Sequence, residues 1–313
     1  MNTRALLNIG LLVLVLVLVA VVTLSPDENQ TEVEPLTTLK ADAVMRLEIT
    51  RTGQGDLSFE KIDGDWYMQT PYQVPANRFR IDALLGLVST PSHAHYDLRG
   101  KDLATFGLDR PAAVVNINDA ITIEFGGSEP LNNRRYVRIG DTLHLIDDLF
   151  YFQLGMTPEG YVSNSLLPPD AVPTAIRLPS LTLRKQGDSW VLDPAQADVS
   201  SDRIFALVQE WRNAQAIRVE AYQAAQSEGE ILIEQADGAP IRFTIHHASD
   251  GILLARPEKK LQYLVTGEVA QRLMELPPPV EAAPAPEAAP AAGPAPDPAA
   301  ATPEAPAAQP SVQ

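Results

Sequence analysis

The sequence predicts an α+β fold of two tandem, duplicated units placed after one N-terminal transmembrane helix. Three observations predict it. Ala5–Leu24 is a run of apolar residues broken only by Asn8 and Thr23. The stretch Leu57–Met68, LSFEKIDGDWYM, returns as LTLRKQGDSWVL at Leu181–Leu192. Each copy is followed by a helix-spaced stretch and then by short strands separated by turn residues. Self-similarity at a long fixed period points to repeated supersecondary units.

Composition narrows the field before any motif is considered. The chain has 313 residues, a net charge of −16 and no cysteine. Its length suits one large domain or two smaller ones. The acidic balance argues against nucleic acid and against a polybasic grip on anionic lipid, both of which need clustered Lys and Arg. Without cysteine there can be no disulfide, thiolate metal site, Cys nucleophile or lipidated N-terminal Cys.

The N-terminal run is long enough, at about 1.5 Å per residue, to cross a bilayer of about 30 Å. It exceeds the usual core of a cleaved signal peptide and no small-x-small cleavage site follows it, so it reads as an uncleaved signal-anchor. Arg4 and the terminal amine precede it, while Asp27, Glu28, Glu32 and Glu34 follow. That asymmetry keeps residues 1–4 cytoplasmic and exports the rest, giving a single-pass bacterial inner-membrane protein with its bulk in the periplasm. Residues 25–42 form an acidic tether.

The first unit spans residues 43–154. Val44–Thr50 alternates as a strand, and Leu57–Met68 is a hairpin turning at Asp63-Gly64, a pair suited to a type I′ turn. Asn77 caps a helix over Arg78–Val88, with Phe79, Ile81, Leu84, Leu85 and Val88 at helical spacing. Ala94–Leu98 is a strand, and Leu103–Phe106 is a helical turn closed by Gly107, the residue favoured where φ is positive. Val114–Ile117, Ile121–Phe125, Tyr136–Ile139 and Leu143–Ile146 make a meander, and Leu149–Leu154 is a closing helix. Residues 155–173 link to the second unit at 174–276. There, strand Ala175–Leu178, hairpin Leu181–Leu192, helix Asp202–Asn213, strand Ala216–Tyr222, four meander strands and helix Glu268–Leu276 repeat the order. Trp190 answers Trp66 and Lys185 answers Lys61. Residues 277–313 are dominated by Pro and Ala and are expected to stay extended and disordered, as a solvated tail or a spacer.

Candidate chemistry is sparse. His93 and His95 would share one strand face as a metal pair, but no third ligand stands at a recognisable spacing. His246 and His247 would point to opposite faces. Asp63 and Asp65 are explained by the hairpin turn. The sequence has no nucleophile elbow, P-loop or dinucleotide fingerprint. Trp66 and Trp190 could stack on sugar, but duplication favours a shared packing role under the following helices. Arg134, Arg135 and Arg138 form a small basic spot in an acidic chain and are the candidate interaction surface. No catalytic, cofactor-binding or metal residue is assigned, and no cofactor is expected.

The Trp hairpin followed by Phe106-Gly107-Leu108-Asp109-Arg110-Pro111 and the strand Arg135–Arg138 resembles the bacterial domain-of-unknown-function 4340 family over about Val44–Leu276. The resemblance implies a single-span envelope protein, of a kind often encoded beside ABC-type transport components similar to those of gliding motility. It supplies no catalytic residue. The expectation is a non-enzymatic accessory or scaffold protein of an ABC-type transport or envelope-assembly complex, with the inner membrane and membrane proteins as partners. A cell-wall glycan-binding module and an envelope hydrolase with an unrecognised site are the alternatives.

Overall fold

The computed structural model describes residues 12–17 and 34–279. The first sheet contains β1 (Arg46–Arg51), β2 (Leu57–Ile62), β3 (Asp65–Thr70), β4 (Val74–Pro75), β5 (Ala94–Asp97), β6 (Ala113–Ile117), β7 (Ile121–Ser128), β8 (Arg135–Ile139) and β9 (Thr142–Ile146). Its order is β4-β3-β2-β1-β6-β7-β8-β9-β5, with every pairing antiparallel. The second contains β10 (Pro173–Arg177), β11 (Thr182–Gln186), β12 (Ser189–Leu192), β13 (Arg218–Ala221), β14 (Gly229–Gln235), β15 (Ile241–Ala248), β16 (Gly251–Arg256) and β17 (Leu261–Thr266). Its order, β12-β11-β10-β14-β15-β16-β17-β13, retraces the first sheet from β3 to β5. The first sheet carries one strand more, β4. Four helices complete the folded part: α1 (Arg78–Leu85), α2 (Leu149–Leu154), α3 (Ser201–Asn213) and α4 (Gly267–Met274).

These facts correct the predicted fold class. The α+β reading gave each unit a hairpin, a helix, a strand, a meander and a closing helix in succession. Instead β1 pairs with β2 on one side and β6 on the other, and β10 pairs likewise with β11 and β14. Hairpin and meander thus fuse into one antiparallel sheet in each half. The helices are few and short and cannot form a layer of their own. The fold is two large antiparallel sheets of nine and eight strands. The transmembrane helix that completed the predicted class is not found either: among the described residues no helix is long and apolar enough to cross a membrane. Of Ala5–Leu24 only Leu12–Val17 is described, as helix, and the rest of that expectation lies outside the described residues. The tail expected over 277–313 likewise lies outside them beyond residue 279.

Local chemistry explains the turns. Asp63 and Gly64 both take positive φ, 50° and 95°, as a type I′ turn requires. Asn118 (φ 52°) turns β6 into β7, and its side-chain amide also accepts from Met45 and Arg46 N–H at 2.8 and 3.0 Å, fixing the start of β1. Gly107 sits at φ 65° after a 3-10 turn over Leu103–Phe106. The Phe106–Leu108 segment then lies on Gly126, where a Cβ would stand 2.3 Å from the Phe106 carbonyl oxygen. β7 changes register between Phe125 and Ser128 at this point. Leu98, Leu108 and Leu143 close a small core there, joined by Phe106 edge-on to Tyr136 at 5.2 Å.

One larger core spans both halves, from Phe59 and Phe125 to Trp211 and Phe243, all fully buried. The segment between the sheets runs through it. Tyr161, Val162, Leu166 and Leu167 are buried. Ala76 bridges Val162, Ser165 bridges Gln215, and the Asn77 N–H donates to the Tyr161 carbonyl at 2.7 Å. Asn164 accepts from the Asn77 side chain at 3.3 Å and donates to the Ala216 carbonyl at 2.8 Å, so one amide is bonded to both halves. Burial pushes the Tyr161 hydroxyl up to about 12.

Two outcomes test this packing by urea denaturation. Gly126→Ala should cost about 3 kcal/mol, the upper end for overpacking, because its new methyl meets backbone rather than a movable side chain. Gly55→Ala, with nothing within 4 Å of the added carbon, is the silent control. Asn164→Ala should cost about 1–3 kcal/mol, the usual penalty for stranding the partners of a bonded polar group.

Candidate functional site

A cleft of about 480 Å³ opens beside the first hairpin. That size falls in the range of about 300–1,000 Å³ typical of small-molecule sites. Its wall is the turn end of β2 and β3, which supplies Lys61, Gly64, Asp65 and Trp66. The opposite rim is the exposed face of α1, with Arg78 and Asp82, and Asp42 from the 3-10 turn before β1 completes it. Ser163 and Pro169 contribute from the segment joining the two sheets.

Each group is placed by a local rule. Lys61 stands directly across from Trp66 in the β2–β3 register, and opposed residues on an antiparallel pair share a face. Asn77 caps α1 by accepting from the Arg80 N–H at 3.3 Å. That aims the first turn, and with it Arg78, at the cleft. Arg78 and Asp82 are 3.7 Å apart at i,i+4, with side chains 80% and 57% exposed. An exposed pair of this kind holds only about 0.3–0.5 kcal/mol, so both charges are free to turn to a ligand. The cleft therefore offers two cations and three carboxylates around an indole edge. It suits a polar ligand carrying both signs of charge, or a polypeptide segment.

The structure brings two of the sequence landmarks, Gly64 and Trp66, into this cleft. Trp66 is only 6% exposed, so it acts as floor more than as stacking platform. Trp190 is half-buried across from Lys185. Gly107 belongs to the small core around Leu108. Asp42, Arg78, Asp82 and Ser163 escaped sequence reasoning. Only the i,i+4 spacing of Arg78 and Asp82 was visible in advance.

Of the three arginines singled out in the sequence, Arg135 and Arg138 are engaged within the sheet. Arg135 is buried and grips Asp148 with two parallel bonds of 2.8 and 2.7 Å. It also donates to the Gly126 carbonyl at 2.9 Å and stacks 3.9 Å over the Tyr151 ring. Arg138 is bound to Glu124 on the neighbouring strand, which raises its pKa, chiefly through that hydrogen bond. Arg134 is half-buried, and its carbonyl accepts from the Glu129 N–H. The Arg135 grip ties the start of α2 to β8. That helix holds Leu149 and Phe152 out to solvent, 72% and 80% exposed, beside a groove of about 360 Å³ lined by Asp148, Tyr151, Phe152, Gly155 and Met156.

The histidines do not assemble a ligand set. His93 reaches Asp147 at 3.1 Å, and His246 is enclosed between Thr244 and the Gln226 carbonyl. His95 and His144 face each other across β5 and β9 with rings 6.3 Å apart. Among the described residues no three His, Asp or Glu side chains are placed to hold a metal.

Comparison with known proteins gives a family match. A family model described as Domain of unknown function (DUF4340) matches residues 66–232, more than half of the chain, beginning at the cleft tryptophan. Neither the curated proteins nor the solved structures contain a match.

The His95–His144 pair yields a pH prediction. Burial, with the His95 charge second, holds the His144 pKa below its ordinary 6.5. The unfolded chain therefore binds this proton more readily than the folded one, and the fold keeps its full advantage above about pH 6.5 and loses it as the pH falls. Thermal melts from pH 7.5 to 5 should show a decline in Tm that is shallower in His144→Gln. Parallel declines in the two proteins would remove His144 as the cause.

Proposed function

The chain belongs to the DUF4340 family, and from that premise we propose that it is a non-catalytic accessory or scaffold protein of an ABC-type transport or envelope-assembly complex. Its apolar N-terminal segment holds it at the bacterial inner membrane, and the bulk of the chain works in the periplasm. The observation that carries the reading is α2. Contiguous exposed apolar surface marks interaction sites, and Leu149 and Phe152, three residues apart on one helix, flank the groove lined by Tyr151 and Met156. Leu149 and Phe152 stand on a helix braced from behind by the Asp148–Arg135–Tyr151 contacts. An exposed aromatic such as Phe152 is of the residue class that anchors protein interfaces. Such bracing lowers the ordering cost that binding otherwise incurs.

The Trp66 cleft fits the same role as a receptor for a polar segment of a partner. A glycan-binding role draws less support, since Trp66 presents little of its ring face and Trp190 is half-buried.

A photoreactive residue at position 152, expressed in native membranes, should give a discrete adduct with a membrane protein. Phe152→Glu should abolish co-purification of that partner while shifting stability by no more than about 0.5 kcal/mol, as exposed substitutions usually do. Recovery of uncrosslinked protein alone would rule out the scaffold role.

A further inference from the structure

The two sheets share one strand order but end differently. In the first, β3 is covered by β4: Tyr67 pairs with Pro75, Met68 pairs with Val74, and the Ala76 N–H donates to the Trp66 carbonyl at 2.7 Å. In the second, β12 is the edge strand and nothing pairs beyond it among the described residues. Asp193 donates its N–H inward to the Thr182 carbonyl. Inward and outward bonding alternate along an antiparallel strand, so Trp190 and Leu192 turn their N–H and C=O groups outward, as Trp66 does in β3.

The sequence explains the difference. In both halves a segment of equal length leads from a proline to the helix cap, PYQVPAN from Pro71 to Asn77 and PAQADVS from Pro194 to Ser200. Val74 is 3% exposed and seats the first segment on β3. Its counterpart is Ala197, and Pro75 is replaced by Asp198. Residues 193–198 remain exposed and form bends and turns instead of a strand. Among the described residues nothing takes the place on β12 that β4 fills on β3.

We propose that the β12 edge is a docking site for an extended segment of another polypeptide, which adds a strand as β4 does in the first sheet. Main-chain bonds to Trp190 and Leu192 would hold it, and an aliphatic side chain opposite Leu192 would take the place of Val74. Charge sets the rest of its chemistry. Asp188, Asp198 and Asp202 are exposed around the strand, Asp193 and Arg184 offset each other at 3.3 Å, and the remaining cations are Lys185 and Arg203, the latter turned to the Pro277 carbonyl. The incoming strand therefore carries basic flanks. A second copy of this chain would oppose these carboxylates with its own, which disfavours self-pairing. On α3, which packs against β12, Phe205 stands 55% exposed where the first half has Asp82, adding apolar surface beside the open edge. This docking does not depend on the membrane assignment, and a failed crosslink at position 152 would leave it standing.

The test uses the full-length chain and a labelled peptide carrying PYQVPA between lysine pairs, read by fluorescence anisotropy and by hydrogen exchange. The peptide should bind and slow exchange at the Trp190 and Leu192 amides. Changing its valine to aspartate should weaken binding at least about tenfold, the loss of a single good contact of about 1.4 kcal/mol. Ala197→Val with Asp198→Pro, and Ala197→Val alone, rebuild the covering segment and should compete with the peptide to a similar degree. Absence of binding, equal binding of the two peptides, or unchanged binding by both rebuilt chains would overturn the proposal. Protection of Trp190 and Leu192 that grows with protein concentration without peptide would overturn it in favour of a second copy.

Discussion

The stretch from Tyr161 to Leu167 is the constraint on which both halves rest. Each sheet alone has one apolar face, and a sheet is stable only when that face is covered. Here part of the cover is this buried segment, which enters against Phe59 through Tyr161, 5.6 Å between ring centroids, and leaves against Ala214 and Ala216. A buried irregular segment must satisfy its own backbone groups, because water cannot. The Pro75, Ala76 and Asn77 backbone does so on one side and the residues after α3 do so on the other. Asn164 closes the arrangement by bonding toward both. Pro169, a few residues on, lines the Trp66 cleft and also a second cleft of about 420 Å³ beside Gln209 and Arg212. The element that joins the sheets thus also shapes the surface available to a partner.

Arginine performs a parallel task at the other end of the first sheet. Arg51 is buried, makes no salt bridge among the described residues, and spends its donors on the Gly55, Leu154 and Met156 carbonyls. Burial accordingly lowers its pKa. The Leu154 carbonyl belongs to the last turn of α2, where cations are favoured by the helix dipole. Arg51 holds α2 from its C-terminal end while Arg135 holds it from below through Asp148 and Tyr151. A helix of this length has little stability of its own. Two buried guanidinium groups, planar and rich in donors, supply what its own hydrogen bonds cannot.

Features that depend on neighbours in sequence were legible in it. Asp63-Gly64 announces its turn, Asn77 its cap and Gly107 its positive φ, since each depends on the residue type and a few positions around it. Partner choice was not. β1 pairs locally with β2 but also with β6, and nothing in RLEITR specifies the second partner, so the continuous sheets remained hidden and the units read as α+β. Arg135 read as surface charge because its partner, Asp148, lies beyond any helical or strand spacing. The cleft failed to appear for the same reason: Asp42, Asp65 and Ser163 meet only after the turn before β1, the hairpin and the joining segment have packed.

What separates the two halves is more informative about function than what they share. Lys61 and Lys185, Trp66 and Trp190, and the buried faces of α1 and α3 serve the same packing twice. Where the fold requires nothing, the copies diverge. Asp65 becomes Ser189, Asp82 becomes Phe205, and Val74-Pro75 becomes Ala197-Asp198. The first half covers its edge strand and surrounds its hairpin with charge. The second half keeps the hairpin, drops the cover and places an aromatic where the charge stood. A pseudo-symmetric scaffold can thus present two unlike surfaces on one shared core: one built for polar contact at the Trp66 cleft, the other an open strand edge with apolar support.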